Sequence, residues 1–101
     1  MIIPQLQKYF PKVNWVYFSK KEDKGYCTGT LNGWEFIYHY RAGYGDFTIR
    51  YTKLQHLIYT GQHYSNPPKV TCLHWHTTLE EVLQDAKNKL TILKNKTSEV
   101  I

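Results

Sequence analysis

The sequence predicts a two-layer α+β fold, an antiparallel sheet of four to five strands with a short N-terminal helix and a long C-terminal helix on one face. Three observations predict it. Thr28 to Thr52 reads as two consecutive β-hairpins rich in Thr, Tyr, Trp, Phe and Ile. Thr77 to about Lys96 repeats Leu79, Val82, Leu83, Ala86, Leu90 and Leu93 at helical spacing. Ile2 to Phe10 carries a second, shorter apolar stripe. At 101 residues, residues 1–101 are expected to form one domain, because a second would be too small to bury its own core.

The first helix is expected over Ile2 to Phe10, with Ile2, Leu6, Tyr9 and Phe10 on one side. Pro4 falls in the first turn, where its missing N–H has no intrahelical partner to lose, and Pro11 ends the element. Val13 to Ser19 is β-branched and aromatic and reads as the first strand. Its facing is open, since Val16 and Phe18 compete with Trp15 and Tyr17 for the core and a one-residue slip exchanges the pairs. A charged loop, Lys20 to Gly25, follows.

Asn32-Gly33 is the dipeptide favoured by a type I′ turn, in which both central residues need positive φ. It sets Leu31 opposite Trp34, Gly29 opposite Phe36 and Cys27 opposite Tyr38. A four-residue loop at Ala42 to Gly45 is expected to set Tyr40 against Phe47, Tyr38 against Ile49 and Phe36 against Tyr51. Directly paired residues share a face, so one face is apolar throughout. The other carries Tyr26, Thr28, Thr30, Glu35, Ile37, His39, Arg41, Asp46, Thr48, Arg50 and Thr52. On this register Asp46 is the cross-strand partner of Arg41.

Leu54, Leu57 and Ile58 suggest a brief helical turn before the Thr60-Gly61 break. Gln62 to Lys69, with Asn66-Pro67-Pro68, reads as a loop, and Val70 to His76 as a returning strand. For the last helix Thr77 is the expected cap and Glu80 the closing member of a capping box. Acids open this helix and lysines close it, matching the macrodipole. Residues 97–101 are expected to fray.

Composition narrows the function classes. With 42% hydrophobic and 16% aromatic residues, the chain has ample material for a core. No apolar run approaches a membrane span and the N-terminus lacks a basic, long apolar leader, so a soluble, cytoplasmic protein without membrane contact is expected. Both cysteines are expected to be reduced. The formal charge is +5, which favours acidic partners, although most lysines fall in the Lys20-Lys21 turn and the last helix, where a solvated face is the simpler reading.

Catalytic signatures are missing: there is no G-x-S-x-G, Walker loop, dinucleotide fingerprint or H-E-x-x-H. Cys72, His74 and His76 alternate along one strand face, with Leu73 and Trp75 on the other. They are weak metal candidates, because structural zinc needs four tetrahedral ligands and the remaining histidines have no fixed relation to them. No cofactor is expected. His63-Tyr-Ser65 and His76-Thr-Thr78 are similar to the paired motifs of two-histidine phosphoesterases, but thirteen residues cannot hold the repeat between them.

The candidate binding residues are Tyr26, His39, Arg41, Tyr44, Arg50, His74, His76 and Trp15, with Tyr17 as a further aromatic. They combine cationic donors with stacking rings, as single-strand nucleic-acid platforms and protein interfaces both do. The element order is similar to that of double-stranded-RNA-binding domains, yet Glu80-Glu81 stand where that family places a basic cluster. The tyrosine-rich, motif-poor composition resembles that of phage and mobile-element inhibitors. The sequence therefore favours a non-enzymatic binding module, first a protein-binding adaptor or inhibitor, second a nucleic-acid-binding protein using a basic aromatic sheet face, and third a small metal- or His-dependent hydrolase.

If the last helix docks through its stripe, Leu83→Ala will cost about 2–5 kcal/mol, as large-to-small core changes do. Urea denaturation measures this directly, and a loss near zero would refute the docking.

Overall fold

The computed structural model describes residues 3–20, 24–52, 56–65, 75–92 and 100. In chain order the elements are α1 (Ile3–Tyr9), β1 (Asn14–Lys20), β2 (Lys24–Leu31), β3 (Trp34–Arg41), β4 (Tyr44–Tyr51), β5 (His56–Tyr64), β6 (Trp75–His76) and α2 (Leu79–Ile92). The strands form one sheet in the order β1-β2-β3-β4-β5-β6. Neighbours are antiparallel except β5 and β6, which are parallel. Both helices lie on one face: α2 packs on β5 and β6, and α1 on β1 and α2. The α+β class is as the sequence predicts, with six strands in place of four to five.

The end of α1 fixes the facing of β1. The Phe10 carbonyl accepts the Val13 amide at 3.3 Å and the Trp15 indole N–H at 3.2 Å. Val13 and Trp15 are thereby held inward, and Val16 points out. Trp15 is a core residue, and its indole donor is already used. A bulge between Tyr17 and Ser19 interrupts the register with β2.

The Asn32-Gly33 turn has both residues at positive φ, 44° and 92°, and pairs Leu31 with Trp34, Gly29 with Phe36 and Cys27 with Tyr38 as expected. The second hairpin is tighter than expected. Gly43 adopts φ 77°, so Ala42-Gly43 closes the loop and Arg41 pairs with Tyr44, Tyr38 with Phe47 and Phe36 with Ile49. The expected register is displaced by two residues, and an even displacement leaves every side chain on its expected face. Arg41 consequently opposes Tyr44, while Asp46 opposes His39.

The helical turn expected around Leu54 to Ile58 is corrected by β5. Ile49 pairs with Tyr59 and Arg50 with Leu57, which leaves Ile58 as the extra residue of a bulge. The bulge turns Leu57 to the open face while Ile58 and Tyr59 both contact the core. Adjacent inward residues imitate helical spacing. Gln62 to Tyr64, expected as loop, complete the same strand. The returning strand is present at Trp75 and His76, and residues 70–74 lie outside the described residues. Trp75 aligns with Gln62 and His76 with His63, so His76 faces the helices and Trp75 the open side, the reverse of expectation.

For α2 the cap is one residue later than expected. Thr78 Oγ1 accepts the Glu81 amide at 3.2 Å and Glu81 Oε1 accepts the Thr78 amide at 3.1 Å, a reciprocal capping box. Glu81 also accepts the Thr77 hydroxyl, and these bonds, Thr77's foremost, hold its carboxyl below the usual range. Leu79, Val82, Leu83, Ala86 and Leu90 are buried as predicted, whereas Leu93 lies outside the described residues. Val100, in the stretch expected to fray, is fully buried in the core.

The core is mostly aromatic, and Phe47 is its centre. Its ring lies 6.1–6.4 Å from those of Phe10, Trp15, Phe36, Tyr38 and Tyr59. So many rings fit over a sheet because glycines lie beneath them. A Cβ at Gly29 would sit 2.4 Å from Val13 Cγ1 and 2.7 Å from Trp15 Cε3, and one at Gly61 would sit 2.3 Å from Tyr59 Oη.

Gly29→Ala should therefore destabilise the fold by overpacking, by about 1–3 kcal/mol, because Trp15 is pinned through its indole to Phe10 and cannot move aside. A urea midpoint equal to that of the parent protein would show that the Trp15 seat has slack.

Candidate binding face

The side of the sheet away from the helices has no described element packed on it. Strand registers align its residues into rows. Asn14, Thr30, Glu35, Arg50 and Leu57 form the first row. Val16, Thr28, Ile37, Thr48 and Thr60 form the second, every member β-branched. Tyr26, His39, Asp46, Gln62 and Trp75 form the third, and Lys24, Arg41, Tyr44 and Tyr64 the fourth. Polarity is thus graded along the strands: mixed charge, then a flat band of methyl groups, then rings and cations.

The last two rows enclose a cleft of about 470 Å³ over β2, β3 and β4, lined by Lys24, Tyr26, His39, Arg41, Tyr44 and Asp46 and by the Gly25–Tyr40 pair that lies between the two rows. Tyr26 and the exposed His39 stack with ring centroids 4.4 Å apart. Tyr44 approaches Tyr64 at 5.1 Å, and Tyr64 meets the edge of Trp75 at 6.4 Å, extending an aromatic border from the cleft to β6. Desolvation, followed by the neighbouring Asp46 charge and a hydrogen bond to that carboxylate, raises the Tyr44 hydroxyl pKa.

Charge on this face is mixed, with cations in slight excess. Lys24, Arg41 and Arg50 are set against Glu35 and Asp46, while Lys8, Lys87 and Lys89 lie on the two helices. Among the described residues no carboxylate lies within ion-pairing distance of Lys24 or Arg41. Asp46 Oδ1 is buried and lacks a hydrogen-bond partner among the described residues.

The structure brings four of the sequence-predicted residues together, Tyr26, His39, Arg41 and Tyr44. Arg50 shares their face but lies nine positions along the hairpin, about 20 Å from Arg41 at strand rise. His76 lies on the helix side, where its Nε2 is 3.6 Å from Asp85 Oδ2. Trp15 is in the core, and Tyr17 packs beside it. Cys72 and His74 lie outside the described residues; among the described ones no three His, Cys, Asp or Glu side chains converge. Lys24 was legible only as part of a loop, and Asp46 only as a partner for Arg41. Their place in the cleft depends on the true register.

The helix side carries its own polar groups. Tyr38 Oη and His63 Nε2 are hydrogen-bonded at 2.6 Å, and Tyr59 Oη donates to Asp85 Oδ2 at 2.8 Å. Burial raises Tyr38 and Tyr59 far above the usual phenol range and Cys27 to about 11. A thiol so raised stays protonated and is a poor nucleophile.

No family model, no curated protein and no solved structure matches this chain. Nor is any described helix long and apolar enough to cross a membrane.

His63 supplies a pH dependence. Desolvation lowers its pKa below 6.5, so the folded protein holds it neutral while the unfolded chain titrates normally. Its contribution to stability is complete above 6.5 and is lost as the pH falls through the window between the unfolded and the lowered folded value. Melting temperature should fall more between pH 7.5 and 5.5 in the parent protein than in His63→Gln. Equal slopes would show that His63 is not the group responsible.

Proposed function

We propose that the chain is a non-enzymatic protein-binding module, an adaptor or inhibitor, that docks through the open face of its sheet. The observation that carries this reading is the β-branched row from Val16 across Ile37 to Thr60, bordered by Tyr26, Tyr44, Tyr64, Trp75 and Arg41. Protein interfaces combine a desolvated, weakly charged centre with aromatic and Arg anchors and a polar rim. The small number of cations on the face, interspersed with Glu35 and Asp46, suits such a partner better than a polyphosphate, whose affinity rests on many cations. In this reading Val16, Ile37 and Leu57 supply the apolar contact, and the rings beside them supply the anchors.

A partner captured by cross-linking in the native host provides the test. Ile37→Asp, placed in the centre of the β-branched row, should weaken that partner's binding by about tenfold or more, with the melting curve retained. Gln84→Ala, on the exposed side of α2, should leave binding unchanged, and raising the salt should matter little. The reading fails if Ile37→Asp binds normally. A steep salt dependence abolished by joint Arg41→Glu and Arg50→Glu changes would instead identify a nucleic-acid partner.

A further inference from the structure

The outer edge of β5 carries backbone groups with no described strand beside them. The 2.9 Å bond from the Ser65 amide to the Gly43 carbonyl sets the phase of the β4–β5 ladder. Counted back along the register, His63, Gly61 and Tyr59 exchange bonds with Gly45, Phe47 and Ile49, so Thr60 and Gln62 direct their N–H and C=O groups away from β4. Arg50 is in phase with Thr52, whose amide bonds to the Gly33 carbonyl, and turns its own groups to β3. Leu57, paired with Arg50, therefore also points its groups outward. β6 aligns with Gln62 and His63 alone. Leu57 and Thr60 are left without a described strand partner, and an open strand edge is a template for another strand.

A groove of about 360 Å³ lies along this edge. Its lining comes from both sides of the sheet, Leu57 and Thr60 from the open face and Ile58 and Tyr59 from the helix side, so it follows the edge itself. Asp85 and Lys89 of α2 form the far wall. Asp85 is fixed in place: its Oδ2 accepts the Tyr59 hydroxyl at 2.8 Å and stands 3.6 Å from His76 Nε2, toward the β6 end of the groove. Among the described residues neither contact uses its Oδ1. Lys89 follows one helical turn later, about 6 Å along the axis. It is exposed, with no described carboxylate within ion-pairing distance. An extended chain presents the same side every two residues, about 6.6 Å, so the two charges are spaced for alternate side chains of a strand laid in the groove.

We propose that this groove takes an extended segment of a partner protein as an added strand, antiparallel to β5, with a basic side chain on Asp85 and an acidic one, two residues later, on Lys89. Main-chain bonds to Thr60 and Leu57 supply affinity independent of sequence, and the charges on α2 select the segment, the usual division in strand addition. Antiparallel pairing is the more stable per residue. It runs the segment from Thr60 toward Leu57 and so places the basic residue first. A second copy of this chain is a poorer fit, because β1, the edge strand on the opposite side of the sheet, has no acidic residue to meet Lys89. The groove recruits the backbone of Leu57 and Thr60 together with α2, and none of Tyr26, Ile37, Arg41 or Tyr44, so it does not depend on the open-face reading.

Two capped heptapeptides test the proposal on the full chain, Thr-Val-Arg-Val-Glu-Val-Thr and the same peptide with Arg and Glu exchanged. The first should bind about tenfold more tightly by fluorescence anisotropy, since the exchange turns two attractions into two repulsions. It should shift the backbone amides of Leu57 and Thr60 and slow the hydrogen exchange of the Thr60 amide. Joint Asp85→Asn and Lys89→Gln changes should make the two peptides equivalent. Lys89→Gln alone, at an exposed position, should already reduce the preference, which keeps the test decisive where the double variant does not fold. Ile37→Asp should leave peptide binding intact, so this inference and the open-face reading fail separately. No binding of either peptide at millimolar concentration, equal affinities in the parent protein, or an unaltered preference in Lys89→Gln would overturn the proposal. So would a Thr60 amide that exchanges as slowly as that of Gly61 in the free chain, because the edge would then already be paired. Loss of peptide binding in Ile37→Asp would move the peptide to the open face, and a free-chain dimer dispersed by the peptide would assign the edge to a second copy; either result also overturns it.

Discussion

The fold depends on one steric arrangement: large rings lying flat over glycines on the helix-facing side of the sheet. Trp15 covers Gly29, Tyr40 covers Gly25, Tyr59 covers Gly61, and Tyr38 and His63 meet over Gly45. Each pairing brings a ring closer to the backbone than any Cβ would permit. The rings can then tilt toward Phe47 and share one cluster with Phe10 from the helix layer. Glycine is costly in a strand, because it brings entropy and no packing surface. Here the covering rings offset that cost, and the sheet gains an aromatic core whose thickness is set by ring faces instead of aliphatic chains.

This arrangement also explains which parts of the fold were legible in the sequence. Alternation in β2, β3 and β4 is regular, so the facing of Cys27, Trp34, Phe36, Tyr38, Phe47 and Ile49 followed from parity alone. Parity survived even the wrong loop length at Ala42-Gly43, because the displacement was two residues. It failed wherever a bulge adds an odd residue. Ile58 is such a residue, and beside Leu57 it completed the helical spacing read from Leu54, Leu57 and Ile58. The bulge after Tyr17 left β1 undecided until the Phe10 carbonyl, a contact invisible to strand periodicity, captured Trp15.

The candidate site was legible to a different degree. Tyr26, His39, Arg41 and Tyr44 were identifiable as outward residues because facing needs only parity. Their association into one cleft needed the register itself: with Asp46 placed opposite Arg41, its charge was assigned to a neighbouring guanidinium and lost its interest. With Asp46 opposite His39 instead, the same carboxylate stands apart from the cations and its Oδ1 is left over. His76 and Trp75 exchanged sides because a parallel β6 sets its facing from Gln62 and His63. Local sequence around Cys72 to His76 contains no trace of that alignment.

Residues of both sheet faces come together at β4, and this links the core to the open face. Gly45 lies between Tyr44 and Asp46, which line the cleft, and its own vacant side holds the Tyr38–His63 pair. The contact is tight enough that a Cβ there would fall 2.0 Å from His63 Nε2 and 2.6 Å from Tyr38 Oη. The backbone that carries Tyr44 and Asp46 outward is therefore seated on a hydrogen-bonded pair within the helix-side layer. Interiors packed at this density transmit displacement rather than absorb it. The Tyr38–His63 pair lies beneath the residue between Tyr44 and Asp46, so the placement of the open face at β4 rests on the packing of the helix-side layer under it.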